Sequence, residues 1–171
     1  MADFKPAFAF VLQHEDAVRA GKVTVDAGGR TRFGIAEKFH PELPEDFFSG
    51  PAEDALLTAE KIEEDQYWKP MRLDEIGNQA VANKLLDMAV NMGVRQAAVY
   101  AQRAVNMLAG SARLAEDGVM GARTLAVVNA VNSDAYEQRL CELSVAHYRH
   151  VAAVNPAQAV NLRGWLKRAE A

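Results

Sequence analysis

Apolar residues recur at helical spacing in most of the chain, and they alternate with polar residues in one short segment only. The first apolar stripe runs from Phe4 to Leu12, with Asp3 placed to cap the helix and Glu15 near its end. After Gly77 the chain becomes rich in Ala, Val, Leu and Met. Helices are predicted there over residues 78–92, 96–109, 121–131 and 134–154, with a short last helix around residue 165.

Capping residues indicate where two of these helices begin. Thr58 can cap a helix that continues through residues 66–68 and is stopped by Pro70. Asp134, with Glu137 three residues later, forms a capping box for the longest predicted helix.

The alternating segment indicates a small β-hairpin. Residues 22–25 and 30–35 carry β-branched and aromatic residues, and the Asp-Ala-Gly-Gly sequence between them is typical of a tight turn. Three prolines in residues 40–51 predict a loop with short helical turns. The sequence therefore predicts a mainly α (α+β) protein with one small β-hairpin in its N-terminal lobe and a helical C-terminal lobe.

Charge is distributed unevenly over the 171 residues. The formal net charge is −4, made of −7 in residues 1–75 and +3 in residues 76–171, where eight of the ten basic residues are Arg. The negative total argues against a nucleic-acid partner, because that affinity comes from clustered cations. The Arg-rich half could contact an anionic polymer, and solvated helix faces are the simpler explanation.

The sequence also argues against a membrane-spanning protein, a protein with a signal peptide and a zinc protein. No apolar run approaches the roughly 18–20 residues of a membrane-spanning helix, so we expect no stable membrane insertion. The N-terminus does not resemble a signal peptide, and synthesis in a cytoplasm is expected. Cys141 is the only cysteine, and His147 with His150 offers too few ligands for zinc. We therefore expect no metal and no cofactor.

Glu15 is the first candidate for chemistry. It lies at the C-terminal end of a predicted helix, where the helix dipole disfavours a carboxylate, and shielding by Phe8, Val11 and Leu12 would raise its pKa further. A raised carboxyl pKa suits a general acid near neutral pH. An exposed glutamate at a helix end would explain the same position without any function.

The hairpin offers two further polar groups. Asp26 lies at the glycine turn, and Thr31 on the returning strand could hold a water molecule or a sugar hydroxyl. A helix-end carboxylic acid that faces a hairpin carboxylate is the two-carboxylate arrangement that cleaves glycosidic bonds. Asp26 could equally be a plain turn former.

Ordered motifs run through nearly the whole chain: His14-Glu15, then Asp26-Ala-Gly-Gly-Arg-Thr31-Arg-Phe-Gly34-Ile35, Tyr67-Trp68-Lys69-Pro70, Leu86-Asp-Met-Ala-Val-Asn-Met-Gly93, Asp117-Gly-Val-Met-Gly-Ala-Arg-Thr-Leu125 and Gly164-Trp165-Leu166. Together they resemble glycoside hydrolase family 108, the phage and bacterial N-acetylmuramidases, followed by the predicted peptidoglycan-binding domain that usually accompanies it. The family usually has Gly-Gly-Tyr after the glutamate, where Asp16-Ala17-Val18 stands here, and often an Asp in the place of Val23.

This resemblance implies a lysozyme-like endolysin that hydrolyses the β-1,4 bond between N-acetylmuramic acid and N-acetylglucosamine during bacterial cell lysis. It implies Glu15 as the acid, with Asp26 and Thr31 on the other side of the cleft. Residues 1–77 would form the catalytic muramidase lobe and residues 78–171 the peptidoglycan-binding lobe, packed as one compact unit. We expect a monomer whose partner is the glycan strand, made in the host bacterial cytoplasm and released to the periplasm through a holin-type pore.

Four side chains are candidates for contacts with the substrate. Tyr67 and Trp68 could stack on sugar faces, although aromatic residues at helical spacing usually belong to the core. Arg30 and Arg32 flank the expected cleft and could pair with lactyl or peptide carboxylates of peptidoglycan, or be solvated strand charges.

Two other functions stay open at this point. A non-catalytic peptidoglycan-binding or scaffolding module could keep the same fold. A lytic transglycosylase would cleave the same bond with one acidic residue and without water.

Overall fold

The computed structural model describes residues 1–15, 20–26 and 29–170. The described residues are mainly helical with one small antiparallel sheet, which confirms the predicted mainly α (α+β) class. Short 3₁₀ turns cover Glu37–Phe39, Leu73–Glu75 and Pro156–Asn161, and a π-helical turn covers Glu64–Trp68. The described α-helices are α1 (Phe4–Glu15), α2 (Glu45–Ser49), α3 (Ala52–Glu63), α4 (Gln79–Met92), α5 (Val94–Ala109), α6 (Ala122–Ala130), α7 (Ser133–Val154) and α8 (Leu162–Ala169).

Helix α1 has the cap and the buried stripe that its sequence predicts. The Asp3 carboxylate accepts a hydrogen bond from the Lys5 backbone N–H (3.1 Å), which satisfies one of the unpaired donors at the helix start. The stripe packs against α4 in the main core. Its buried members are Phe4, Ala7, Phe8, Val11 and Leu12.

A three-stranded antiparallel sheet follows α1, with β1 (Thr24–Asp26), β2 (Gly29–Arg32) and β3 (Ile35–Ala36) in that order. The predicted hairpin is confirmed as β1 and β2. The third strand was not predicted, because two residues are too few to show an alternating pattern. Thr24 pairs with Thr31 and Asp26 with Gly29, so β2 lies in the centre of the sheet.

The turn between β2 and β3 packs through the ring of Phe33 against Gly21, a residue outside the sheet. Phe33 and Gly34 both have positive φ (50° and 79°), as the central residues of a two-residue hairpin loop require. The Phe33 ring is buried against Gly21, where an added Cβ would lie 2.5 Å from Phe33 Cζ. Gly21 itself has φ +60°, so both space and backbone geometry require glycine there.

Helix α3 begins earlier than predicted. It starts at Ala52, directly after Pro51, whose extended backbone leads into the first turn. Thr58 lies inside this helix and its hydroxyl donates to the Asp54 carbonyl (3.0 Å), so the assignment of Thr58 as the cap was wrong. The proline that marked a loop in the sequence instead stands directly before the first residue of the helix.

Helix α7 is capped two residues before the start of the predicted capping box. The Asn132 side chain accepts a hydrogen bond from the Ala135 backbone N–H (2.9 Å), and the helix begins at Ser133. The capping box of Asp134 and Glu137 was therefore wrong, because both residues already lie within the helix.

Helix α4 is the centre of the molecule, packed against α1, α5 and α7. Asn78 caps its start by accepting from the Val81 backbone N–H (3.1 Å). Gly93, with φ +87°, is the single residue between the end of α4 and the start of α5. Among the described residues, no helix is both long and apolar enough to cross a membrane.

Candidate active site

Glu15 is the last residue of α1, which is the position that its proposed chemistry requires. Its side chain, and the departure from the family pattern at residues 16–18, lie outside the described part of the structure. The three apolar residues expected to shield Glu15, which are Phe8, Val11 and Leu12, are buried on the same helix.

The sheet places Asp26 and Thr31 close together along one ladder. Asp26 pairs with Gly29 at the turn, and Thr31 lies two rungs further along β2. Thr31 is half-buried, while the Asp26 side chain is outside the described part. Because strand residues alternate between faces, Thr31 projects from the face of β2 opposite to that of its two neighbouring arginines.

Arg30 has two carboxylate partners in the protein itself. Its guanidinium donates to Glu37 (2.7 Å) and to Glu45 (2.6 Å), and it lies 4.3 Å from the centre of the Phe48 ring. Glu37 first and Glu45 second raise the pKa of Arg30, and the guanidinium lowers the pKa of both carboxyl groups. The predicted contact of Arg30 with substrate carboxylates would have to compete with these two ion pairs.

Arg32 holds the sheet to the segments around it. Its guanidinium donates to the carbonyls of Gly21 (2.8 Å), Phe47 (2.7 Å) and Gly50 (3.0 Å), and only 6% of the residue is exposed. The expected substrate contact of Arg32 does not fit this position. A buried cation whose donors are bonded to backbone carbonyls is a structural group.

Trp68 is a core residue. It is 4% exposed and packs edge-on against Phe4 with ring centres 5.6 Å apart. Phe4 is the first residue of α1 and Glu15 the last, so Trp68 lies about 16 Å along the helix from the proposed acid. The expected stacking of Trp68 on a sugar does not fit this position either.

Tyr67 is half-buried on the π-helical turn beside Trp68. Burial, and the nearby Glu63 carboxylate, raise the pKa of its hydroxyl, which therefore stays protonated at neutral pH. The residue as a whole is partly exposed, and its predicted contact with substrate stays a prediction.

A polar cavity of about 500 Å³ opens at the C-terminal end of α1. We call it the α1–α8 cavity. Sequence reasoning did not find it, because its walls come from residues more than 140 positions apart. The described residues that line it are Gln13 and His14 of α1, Asn91 of α4, and Val160, Asn161, Gly164, Trp165, Lys167 and Arg168 from the C-terminal segment.

A buried charge network fixes the C-terminal wall of this cavity to α4. Arg168 Nε donates to Asp87 (2.5 Å), and Lys84 Nζ donates to the carbonyls of Arg168 (3.1 Å) and Ala169 (2.6 Å) at the end of α8. Burial raises the pKa of Asp87, and the Arg168 charge opposes this shift. A cation at a helix C-terminus is favoured by the helix dipole, so Lys84 anchors α8.

His147 and Asp117 both have structural partners. His147 lies 3.1 Å from the Tyr100 hydroxyl, and burial lowers its pKa. Asp117 accepts from Gln102 Nε2 (2.7 Å) and from the Val119 backbone N–H (2.9 Å), which together lower its pKa. In the described part of the chain, no cluster of three or more His, Cys, Asp or Glu residues could hold a metal ion.

Comparisons with family models and solved structures find proteins that are similar to this chain. The family model described as Glycosyl hydrolase 108 matches residues 8–93, and the one described as Predicted Peptidoglycan domain matches residues 96–170. A search of curated proteins finds no match. The solved structure titled "Structure of Brucella abortus SagA" is similar, with a TM-score of 0.68 and 22% identity, over 97% of this chain and 92% of that one. This likeness shows a shared fold.

Proposed function

From the premise that the chain belongs to the glycosyl hydrolase 108 family and is a peptidoglycan hydrolase, we propose that it is a lysozyme-type N-acetylmuramidase. The bond cleaved is the β-1,4 linkage between N-acetylmuramic acid and N-acetylglucosamine. The observation that carries the proposal is the position of Glu15, the last residue of α1, directly after two residues that line the α1–α8 cavity.

In this mechanism the protonated Glu15 donates its proton to the glycosidic oxygen as the bond to the sugar breaks. The negative end of the α1 dipole and the apolar residues of the preceding turns favour the neutral acid before reaction. Cleavage without assistance would expel a strongly basic alkoxide, which is a poor leaving group, so proton donation to the glycosidic oxygen lowers the barrier where charge develops.

Asp26 and Thr31 supply the other side of the reaction. Asp26 stabilises positive charge on the sugar ring or orients the attacking water, and Thr31 holds that water from the face of β2 that the two arginines do not occupy. A carboxyl separation of about 5–5.5 Å goes with retention of configuration, and about 6.5–9.5 Å with inversion.

Product analysis tests this function. Purified protein is incubated with sacculi, and the soluble fragments are identified by mass spectrometry. Reducing N-acetylmuramic acid ends are expected. Anhydro ends would indicate a transglycosylase, and binding without soluble fragments would indicate a non-catalytic module.

Glu15→Gln tests the acid directly. The variant keeps the shape of the side chain and loses the proton, so we expect at least a hundredfold lower rate of fragment release, in line with the roughly 10²–10⁴-fold contribution of general acid catalysis. Glu53→Gln, an exposed glutamate in the first turn of α3, is the matched control and keeps full activity. Activity retained in Glu15→Gln would remove Glu15 from its role.

The setting in a cell is part of the same proposal. We propose that the protein acts as a monomer on periplasmic peptidoglycan during phage-type lysis and reaches it through a holin-type pore. Expression in a bacterium with and without a co-expressed holin tests this, with rapid loss of turbidity expected only when both proteins are present. Equal lysis in the two cultures would reject the pore requirement.

A further inference from the structure

The α1–α8 cavity is built from both parts of the chain that the family models separate. Gln13, His14 and Asn91 lie within residues 8–93, and Trp165 and Lys167 lie within residues 96–170. A peptidoglycan-binding region that only tethered the enzyme to the wall would present its binding surface elsewhere. Here the C-terminal region instead forms a wall beside the end of the catalytic helix.

The chemistry of the lining suits a sugar. Amides from three separate elements, Gln13, Asn91 and Asn161, offer both donors and acceptors to hydroxyl and acetamido groups. Trp165 adds an aromatic surface of the kind on which the apolar face of a pyranose packs. The volume of about 500 Å³ lies within the range of about 300–1,000 Å³ that is usual for small-ligand sites.

Two of the key side chains are held in place before any ligand binds. The Trp165 ring stacks on Tyr148, with ring centres 5.3 Å apart and an angle of 24° between the planes. Asn91 Nδ2 donates to the Asp87 carbonyl (2.8 Å), which fixes the orientation of the amide. Pre-ordered groups of this kind lose little conformational freedom on binding, which favours affinity.

The positive charge of the cavity favours a sugar that carries a carboxylate over an uncharged one. The described residues that line it include Lys167 and Arg168 and no carboxylate. Arg168 is paired with Asp87, whereas Lys167 is exposed and no carboxylate of the described residues forms an ion pair with it. An N-acetylglucosamine residue offers this cation only neutral acceptors, while N-acetylmuramic acid carries a lactyl carboxylate or the acidic peptide attached to it.

We infer that the α1–α8 cavity is a saccharide subsite for N-acetylmuramic acid, with Trp165 under the pyranose ring and Lys167 opposite its carboxylate. This inference rests on the proposed function, because it places the subsite next to Glu15. The C-terminal region then takes part in substrate recognition at the catalytic cleft and is more than a tether.

Binding of two soluble tetrasaccharides tests the subsite. The first is the uncharged chitotetraose, and the second is the peptide-free peptidoglycan tetrasaccharide with alternating N-acetylglucosamine and N-acetylmuramic acid. Calorimetry is carried out in the Glu15→Gln background, so that the ligand is not cleaved, with no further change and with Trp165→Ala, Lys167→Ala or Arg163→Ala added. Arg163 is the matched control, since it is an exposed cation on the same helix and lies outside the lining of the cavity.

We expect Trp165→Ala to weaken binding of both ligands about tenfold, which corresponds to about 1.4 kcal/mol. Lys167→Ala is expected to weaken only the ligand that contains N-acetylmuramic acid, by about two- to fivefold at low salt, as an exposed ion pair would. Arg163→Ala should bind as the wild type does. Because Trp165 also packs on Tyr148, Asn161→Ala serves as a second lining variant without that contact.

The outcomes separate this inference from the proposed function. If the wild type releases muramidase products but none of the lining variants alters ligand binding, the subsite is overturned and the proposed enzyme function stands. A protein that releases no fragments but shows the expected losses would keep the subsite and reject the hydrolytic role of Glu15. Equal effects of Lys167→Ala on the two ligands would overturn the assignment to N-acetylmuramic acid.

Discussion

Arg30 and Arg32 lie on one strand, and both bind residues from distant parts of the chain. Both project from the same face of β2 toward α2, where Arg30 contacts Glu45 and Phe48 and Arg32 bonds to the Phe47 carbonyl. The sequence left a substrate contact and solvated strand charges equally open, because a strand pattern does not specify what covers that face. The residues that cover it lie 15 to 18 positions further along the chain.

Substitution of Arg32 by alanine should destabilise the fold by about 2–3 kcal/mol, because it removes charge-assisted hydrogen bonds and leaves buried carbonyls without a donor. Denaturant unfolding measures the loss, with Arg163→Ala expected to stay within about 0.5 kcal/mol of the wild type. An Arg32→Ala protein of unchanged stability but weakened binding to sacculi would restore the substrate contact expected from the sequence.

At the scale of elements, the apolar periodicity of the chain predicted the extents of most helices well, whereas two of the predicted capping residues were wrong. Helices α4, α5 and α6 begin and end within about two residues of the prediction, and a glycine directly follows α4 and α5. Helix α7 also begins within one residue of the prediction, but its cap is Asn132 and not Asp134. The start of α3 was missed because the residue before it is Pro51, which has no side-chain acceptor that a search for polar caps could find.

The cap of α7 can be tested with a pair of variants. Asn132→Ala should cost about 1 kcal/mol of unfolding free energy, since the Ala135 N–H loses its acceptor. Asp134→Ala, which removes the residue favoured by the sequence, should cost clearly less. Thermal unfolding followed by circular dichroism measures both, and the reverse order of effects would speak for the original capping box.

The loop between α5 and α6 has an acid-sensitive anchor in Asp117. The pKa of its carboxyl is lowered in the folded state, so its stabilising effect is complete above the unfolded pKa, about 3.9, and is lost as the pH falls through the lower folded value. Asp117→Asn should therefore show a shallower loss of stability than the wild type below about pH 4. Asp134→Asn, whose carboxylate has no described hydrogen bond, is the control, and parallel curves for wild type and Asp117→Asn would rule out the anchor.

At the scale of the whole molecule, a buried ion pair joins the middle of the chain to its C-terminal helix. Asp87 in α4 and Arg168 in α8 are 2% and 7% exposed, and their pairing positions the wall of the α1–α8 cavity. Neither this pair nor the cavity was predicted, because both depend on how α8 returns across the molecule to α4. The sequence did mark the region through Trp165, whose motif belongs to the family pattern.

Removal of one partner should be far more costly than removal of both. Asp87→Leu removes the buried carboxylate to which the Arg168 guanidinium donates, and we expect a loss of about 3–5 kcal/mol. The double variant Asp87→Leu with Arg168→Met should recover much of that loss, because an apolar pair needs no compensating charge. Additive effects of the two single changes in denaturant unfolding would exclude the coupling.

The junction at Gly93 limits how this protein can be recombined. One residue separates α4 from α5, and the core continues across it, so the boundary between the two family models is not a hinge or a linker. A chimaera that replaces residues 96–170 with an unrelated wall-binding module would expose the face of α4 that packs on α5 and α7. Exchange of target specificity therefore has to proceed through substitutions on the existing surfaces, rather than by replacement of a part.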